Sequence, residues 1–202
     1  MPEAFEHSRK YKYSGAMHDA MNIELRKLDP RDLEDRVNIF QYESPGHYQV
    51  DICETAKGWD ISLRKEDFPQ TFIKKEPEAV ITHYKGDSEI YAAFAEGREV
   101  GLIQLEFQKY SGSLRVWDID VVPEFRGMGV GKALMDLCKS RASDLGARRI
   151  VLETQTSNLK AIAFYRKMGF KLVGLDASHY TNDDIEKGEV RLEMAIHLGY
   201  PK

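Results

Sequence analysis

Residues 114–146 run from an apolar strand pattern through three alternate glycines into an amphipathic repeat, and this succession constrains the fold more than any other stretch of the chain. Gly127, Gly129 and Gly131 stop the strand pattern at once. Val130, Ala133, Leu134, Leu137, Cys138, Ala142 and Leu145 then recur at helical spacing until Gly146 closes the helix. Such a turn lets the backbone pass close to a ligand and aims several N–H groups at one spot, where the helix N-terminus adds partial positive charge. It suits a phosphate. Arg126 and Lys132 would bring formal charge to the same place, so a pyrophosphate fits better than a monophosphate.

Spacing separates the nucleotide-binding readings. A Walker A loop needs Ser or Thr after its Gly-Lys and a glycine before it; here Ala133 follows Lys132, and Arg126 holds the earlier position. A dinucleotide-binding turn needs G-x-G-x-x-G, and Lys132 stands where its third glycine belongs, with no long βαβ series after it. What the stretch matches is R-x-x-G-x-G, read as Arg126, Gly129 and Gly131 behind a strand ending in Val121-Val122-Pro123. A second segment, residues 158–170, opens on Asn158 and carries Tyr165 seven positions later. Two helical turns separate them, so both can face one side and address one elongated ligand.

The rest of the pattern predicts a mixed α/β protein. Residues 90–95 and 100–107 read as a hairpin around Glu96-Gly97-Arg98, and residues 149–154, 170–175 and 190–196 as further strands. A helix over 159–168 ends at Gly169. Asp29-Pro30 followed by Leu33, Val37 and Phe40 predicts a helix over about 30–42, broken by Ser44-Pro45-Gly46. The stretch from there to residue 85 reads as irregular with short helical pieces, because prolines and glycines interrupt each pattern. Residues 1–20 lack a sustained period and are expected to be an N-terminal tail, with a single domain over 21–202.

Composition closes off other classes. With 29 Lys+Arg against 33 Asp+Glu, net −4, there is no global basic footprint for nucleic acid, and no nucleic-acid partner is expected. The longest apolar run, residues 90–95, is far short of the ~20 residues that span a bilayer, and residues 1–20 carry charges where a signal peptide needs an apolar core. Two cysteines without CxxC pairing, Cys53 and Cys138, and six scattered histidines predict a reduced, cytoplasmic protein with no metal site.

The glycine turn and the Asn158–Tyr165 segment together resemble the GNAT superfamily of N-acetyltransferases over roughly residues 21–197. The resemblance implies the GNAT α/β (α+β) fold, a mixed, mostly antiparallel sheet of about six to seven strands flanked by about four helices. It implies acetyl-CoA as cosubstrate, with its pyrophosphate on Arg126, Gly127, Met128, Gly129, Val130, Gly131 and Lys132. Main-chain groups of Asp120, Val121 and Val122 would pair with the pantetheine arm, Asn158 would contact the CoA arm, and Tyr165 would protonate or hold the departing thiolate. The run 152–158, Gly174-Leu175-Asp176 and Tyr180 are similar to streptothricin acetyltransferases, which acetylate the β-lysine amine of a cationic antibiotic.

The implied chemistry is direct attack of an amine on the thioester. A carboxylate must accept its proton, and Asp118, Asp120 and Glu153 lie on the flanking strands. Asp118 and Asp120 share one strand face, and the resemblance makes the Val121 N–H an oxyanion donor. Acceptor contacts are expected from Trp117, Asp118, Glu153, Asp176 and Tyr180, and residues 48–84 would build the acceptor pocket. The acidic cluster Asp176, Asp183, Asp184 and Glu186 suits a polycation. The partner expected is a small cationic amine, with the protein a monomer or homodimer. A protein or peptide acceptor is the second reading, and a non-catalytic acyl-CoA-binding regulatory module the third.

Overall fold

The computed structural model describes residues 11–12, 21–33, 36–79 and 88–199. In chain order the strands are β1 (Tyr11–Lys12), β2 (Ile23–Leu28), β3 (Val37–Thr55), β4 (Gly58–Ala79), β5 (Ser88–Ala95), β6 (Arg98–Gln108), β7 (Ser113–Val121), β8 (Arg149–Gln155), β9 (Lys171–Asp176) and β10 (Arg191–His197). Among the described residues the helices are α1 (Val130–Asp144), α2 (Leu159–Lys167) and the one-turn α3 (Asp184–Lys187). By internal contacts the chain divides into one unit of residues 1–36, 79–150 and 199–202 and a second of residues 37–78 and 151–198.

In the first unit the strands run β1-β2-β5-β6-β7, every pair antiparallel. Central β5 buries Ile90, Ala92, Ala93 and Ala95, so both faces are covered and the strand reads as a continuous apolar run rather than an alternation. The β5–β6 turn puts Glu96 at φ 50° and Gly97 at φ 77°, the two positive values whose twist matches that of paired strands. Helix α1 buries Val130, Ala133, Leu134, Leu137 and Cys138 on one face. Gly101 of β6 lets it approach: a Cβ there would stand 2.8 Å from the Asp120 carbonyl oxygen and 3.0 Å from Val130 Cγ1.

The second unit holds a two-stranded β3-β4 hairpin and the strand order β8-β10-β9, with β9 and β10 antiparallel. Here the sequence expectation is corrected. The predicted helix over 30–42 is a 3-10 turn at Pro30–Leu33 followed by a strand from Val37. The entry signal is real, since Asp29 Oδ1 accepts the Arg31 N–H at 3.0 Å. It does not propagate, because Val37, Ile39, Phe40 and Tyr42 favour a pleated surface and β4 is there to pair with. The irregular stretch expected after residue 44 is the rest of this hairpin. Ser44-Pro45-Gly46 passes through it as strand, and Gly46 is required because a Cβ would lie 2.2 Å from the Glu66 carbonyl oxygen.

The α/β class and mostly antiparallel pairing expected from the sequence are observed, and β5 to β10, α1 and α2 lie within two residues of their predicted bounds. Of the expected N-terminal tail, residues 1–10 and 13–20 lie outside the described residues, while Tyr11 and Lys12 pair with Leu25 and Glu24. Among the described residues no helix is long and apolar enough to cross a membrane.

Candidate active site

In the first unit, β7 ends at Val121 and a 3-10 turn at Pro123–Phe125 leads into the glycines. Gly127 sits at φ 83° and Gly129, the N-cap of α1, at φ 93°, backbone values that cost an L-residue strain and glycine nothing. No side chain caps this helix start. The first-turn amides of Val130, Gly131 and Lys132 have no carbonyl a turn earlier to bond within the helix, so they and the dipole point out of its end. A Cβ at Gly127 or Gly129 would meet nothing within 4 Å, leaving open space in front of the turn.

The two cations flanking the turn are braced within the chain. Arg126 Nε donates to the Val121 carbonyl at 2.8 Å and its Nη2 lies 3.4 Å from Asp120 Oδ1, tying the turn to the end of β7. Lys132 Nζ is 2.5 Å from Asp136 Oδ2. Register sorts the three strand-end residues expected to line a ligand. Val122 N–H bonds the Val100 carbonyl at 3.0 Å, and Gly101 is the partner of Val121. Antiparallel alternation therefore turns the main-chain groups of Val122 and Asp120 towards β6 and those of Val121 away from it.

Further up β7 the pairing steps from Gln104↔Asp118 to Leu105↔Val116, so Trp117 is the extra residue of a β-bulge. Such a bulge re-aims the side chain at Trp117, while the regular register from Asp118 to Val121 keeps Asp118 and Asp120 on one strand face, as alternation predicts. Trp117 Nε1 donates to Glu106 Oε2 at 2.5 Å, and the Arg115 guanidinium lies 4.5 Å from the Trp117 ring. Cys138 is buried on α1, and burial pushes its thiol up to about 12, which keeps it a neutral packing residue.

In the second unit, Asn158 N-caps α2, its Oδ1 accepting the Ala161 N–H at 3.2 Å. A cap of this kind contributes about 1 kcal/mol. Asn158, Ile162 and Tyr165 are buried along one face of the helix, and the Tyr165 ring packs 5.8 Å from Phe170 and 5.5 Å from Phe164. Tyr42 of β3 pins the corner where β8 meets α2: its hydroxyl is 2.6 Å from Ser157 Oγ. Burial pushes that hydroxyl up, with the Glu189 and Glu76 charges adding to it against the Ser157 hydrogen bond.

Glu153 and Tyr180, both expected near the acceptor, are in direct contact. The Tyr180 hydroxyl donates to Glu153 Oε1 at 3.2 Å, and Arg191 Nε lies 2.8 Å from Glu153 Oε2. Burial and then the Glu153 carboxylate push the Tyr180 hydroxyl up, which keeps it a proton donor. The loop bearing Tyr180 is fixed by Asp184, whose buried carboxylate accepts the N–H groups of Tyr180 and Thr181 at 2.9 and 2.8 Å. Burial opposes ionisation there. The Thr181 hydroxyl and these two N–H groups outweigh it and hold the Asp184 carboxyl below its usual range.

Three of the four residues of the expected acidic cluster are engaged locally: Asp184 inside its loop, Asp183 on Lys187 at 2.8 Å, and Asp176 on the Ser178 N–H at 3.1 Å. The hairpin carries an aromatic recess of about 350 Å³ lined by Phe68, Phe72 and Ile73, with the His47 ring stacked 4.5 Å from Phe68. Sequence reasoning missed Lys74, Glu189 and Arg191, which pair with or around Glu153 and Tyr180 only through the tertiary fold. No local spacing marks them.

Residues 61–170 match the acetyltransferase (GNAT) family. The streptothricin acetyltransferase of Streptomyces lavendulae is 35% identical over 111 residues, a match spanning 54% of this chain and 58% of that protein's length. A crystal structure of nourseothricin acetyltransferase superposes with a TM-score of 0.67 at 30% identity, covering 87% of this chain and 98% of that one. A putative streptothricin acetyltransferase from Bacillus anthracis strain Ames, solved with acetyl coenzyme A, superposes with a TM-score of 0.69 at 27% identity, covering 89% and 99%.

Proposed function

The chain belongs to the GNAT acetyltransferase family, and we propose that it transfers the acetyl group of acetyl-CoA to a primary amine of a small cationic molecule, the β-lysine portion of streptothricin. The observation that carries the reading is the glycine turn, whose positive-φ Gly127 and Gly129 open a backbone cradle in front of an uncapped helix. Those residues suit a pyrophosphate. The similarity to streptothricin acetyltransferases supports the choice of acceptor.

In this reading the amides of residues 127–132 hold the pyrophosphate while Arg126 holds the turn. It braces the turn through the Val121 carbonyl rather than by reaching outward. Val121, whose main-chain groups face away from β6, offers its N–H to the thioester carbonyl, where charge develops during attack. Asn158 sets the start of α2, and Tyr165 on the same helix face supplies a proton to the departing thiolate. Both oxygens of Glu153 are engaged, by Tyr180 and Arg191, so in this reading Glu153 acts as an acceptor-positioning group. The base is the strand carboxylate Asp118.

The test is product analysis. Streptothricin incubated with the protein and acetyl-CoA should gain one acetyl group on a β-lysine amine, read by mass and NMR; unmodified streptothricin beside another acetylated amine would keep the chemistry and replace the acceptor.

A further inference from the structure

Lys74 of β4 is turned inward, its side chain only 12% exposed, while its neighbour Lys75 is exposed. Burying an ammonium is costly unless it is paired. Lys74 Nζ lies 2.7 Å from Glu189 Oε1, 3.8 Å from Glu76 Oε1 and 5.7 Å from the Tyr180 ring centroid. Two carboxylates and an aromatic face thus already hold a primary ammonium at the end of an alkyl chain. Tyr180 joins this box to the next ion pair, since its hydroxyl donates to Glu153. There Arg191 is shared in the same manner, 2.8 Å from Glu153 and 3.8 Å from Glu193. Four carboxylates, Glu76, Glu153, Glu189 and Glu193, therefore lie around the two cations Lys74 and Arg191. The Glu76 side chain is 64% exposed, which opens the box to solvent.

We propose that Glu189, Glu76 and Tyr180 form a subsite for an ammonium group of a polycationic acceptor, and that Lys74 is a resident stand-in which the acceptor displaces. This rests on the cationic-amine reading above and extends it to how that amine is selected. An occupant built into the chain lowers apparent affinity by the fraction of time it fills the site. A guest with one ammonium only exchanges like for like with Lys74. A guest with two or more also meets the Glu153 and Glu193 carboxylates beside the box, so the site favours polycations. The displaced lysine keeps its charge in solvent on a flexible stem.

The test measures steady-state constants for streptothricin and for acetyl-CoA in wild type, Lys74→Gln, Lys74→Arg and Glu189→Gln. Lys74→Gln empties the box and should lower the streptothricin KM about tenfold. Lys74→Arg should stay near wild type, and Glu189→Gln should raise the streptothricin KM about tenfold, with the acetyl-CoA KM unchanged in all three. A damaged fold raises KM, so a fall in Lys74→Gln cannot come from misfolding. An unchanged or raised streptothricin KM in Lys74→Gln overturns the stand-in while leaving the acetyltransferase reading intact. A wild-type protein that acetylates no amine overturns both.

Discussion

The glycine turn before α1 and the charged wall beside Tyr180 are built by opposite means. The turn works through main chain: Met128 points out half-exposed, Arg126 folds back onto the Val121 carbonyl, and positive-φ glycines set where the amides aim. The wall works through side chains, with cations shared between carboxylates and a tyrosine bonded to one of them. A backbone cradle keeps its geometry when the side chains between its glycines change, whereas each substitution in the wall alters its charge. In the proposed reading, one fold can therefore keep its donor site fixed while its acceptor site is retuned.

That contrast can be broken or sharpened by substitution. The largest effect is expected from Tyr165→Phe, which removes a proton donor and little volume: kcat should fall about a hundredfold, with acetyl-CoA affinity by calorimetry within about twofold of wild type. Equal losses in both would make Tyr165 a packing residue beside Phe170.

Gly129→Ala comes next. Its Cβ meets nothing, so the cost is conformational alone, about 1–2 kcal/mol for holding an L-residue at φ 93°, and the acetyl-CoA KM should rise roughly tenfold. An unaffected acetyl-CoA KM would show that the turn does not need its left-handed glycine. Glu153→Gln should have the complementary signature, raising the streptothricin KM about tenfold at constant acetyl-CoA KM. A loss in kcat alone would instead return Glu153 to the role of base.

The smallest effect concerns stability. Asp184→Asn weakens the clasp on the Tyr180 loop and should cost about 1–2 kcal/mol in denaturant unfolding at neutral pH. The Asp184 carboxyl is held low in the folded protein, so its stabilisation is complete above the ordinary carboxylate value of about 4 and fades as pH falls through the depressed one. The gap between wild type and Asp184→Asn should therefore close in acid. A gap that stays constant with pH would mean that the charge of Asp184 contributes nothing.

The same contrast explains what was legible in the sequence. Gly127 and Gly129 announce their conformation by residue type, and the apolar spacing of α1 and of the segment from Asn158 to Tyr165 is local, so one half of the candidate site could be located without a structure. The β3–β4 hairpin could not. Its strands run 19 and 22 residues where strands are usually about five or six, and Pro45, Gly46 and Pro69 look like breaks. Gly46 is instead the place where the Glu66 carbonyl comes close. Lys74 and Glu189 are 115 positions apart, and only the fold makes them a pair. The bulge at Trp117 likewise arises from register with β6 rather than from any residue type.

The most direct test of the account is release of the CoA thiol from acetyl-CoA across streptothricin, aminoglycosides, polyamines, free amino acids and a lysine-rich peptide. The account predicts turnover with streptothricin foremost and polycations ahead of single amines. Binding of acetyl-CoA without thiol release for any amine would contradict it and leave an acyl-CoA-binding regulatory module in its place.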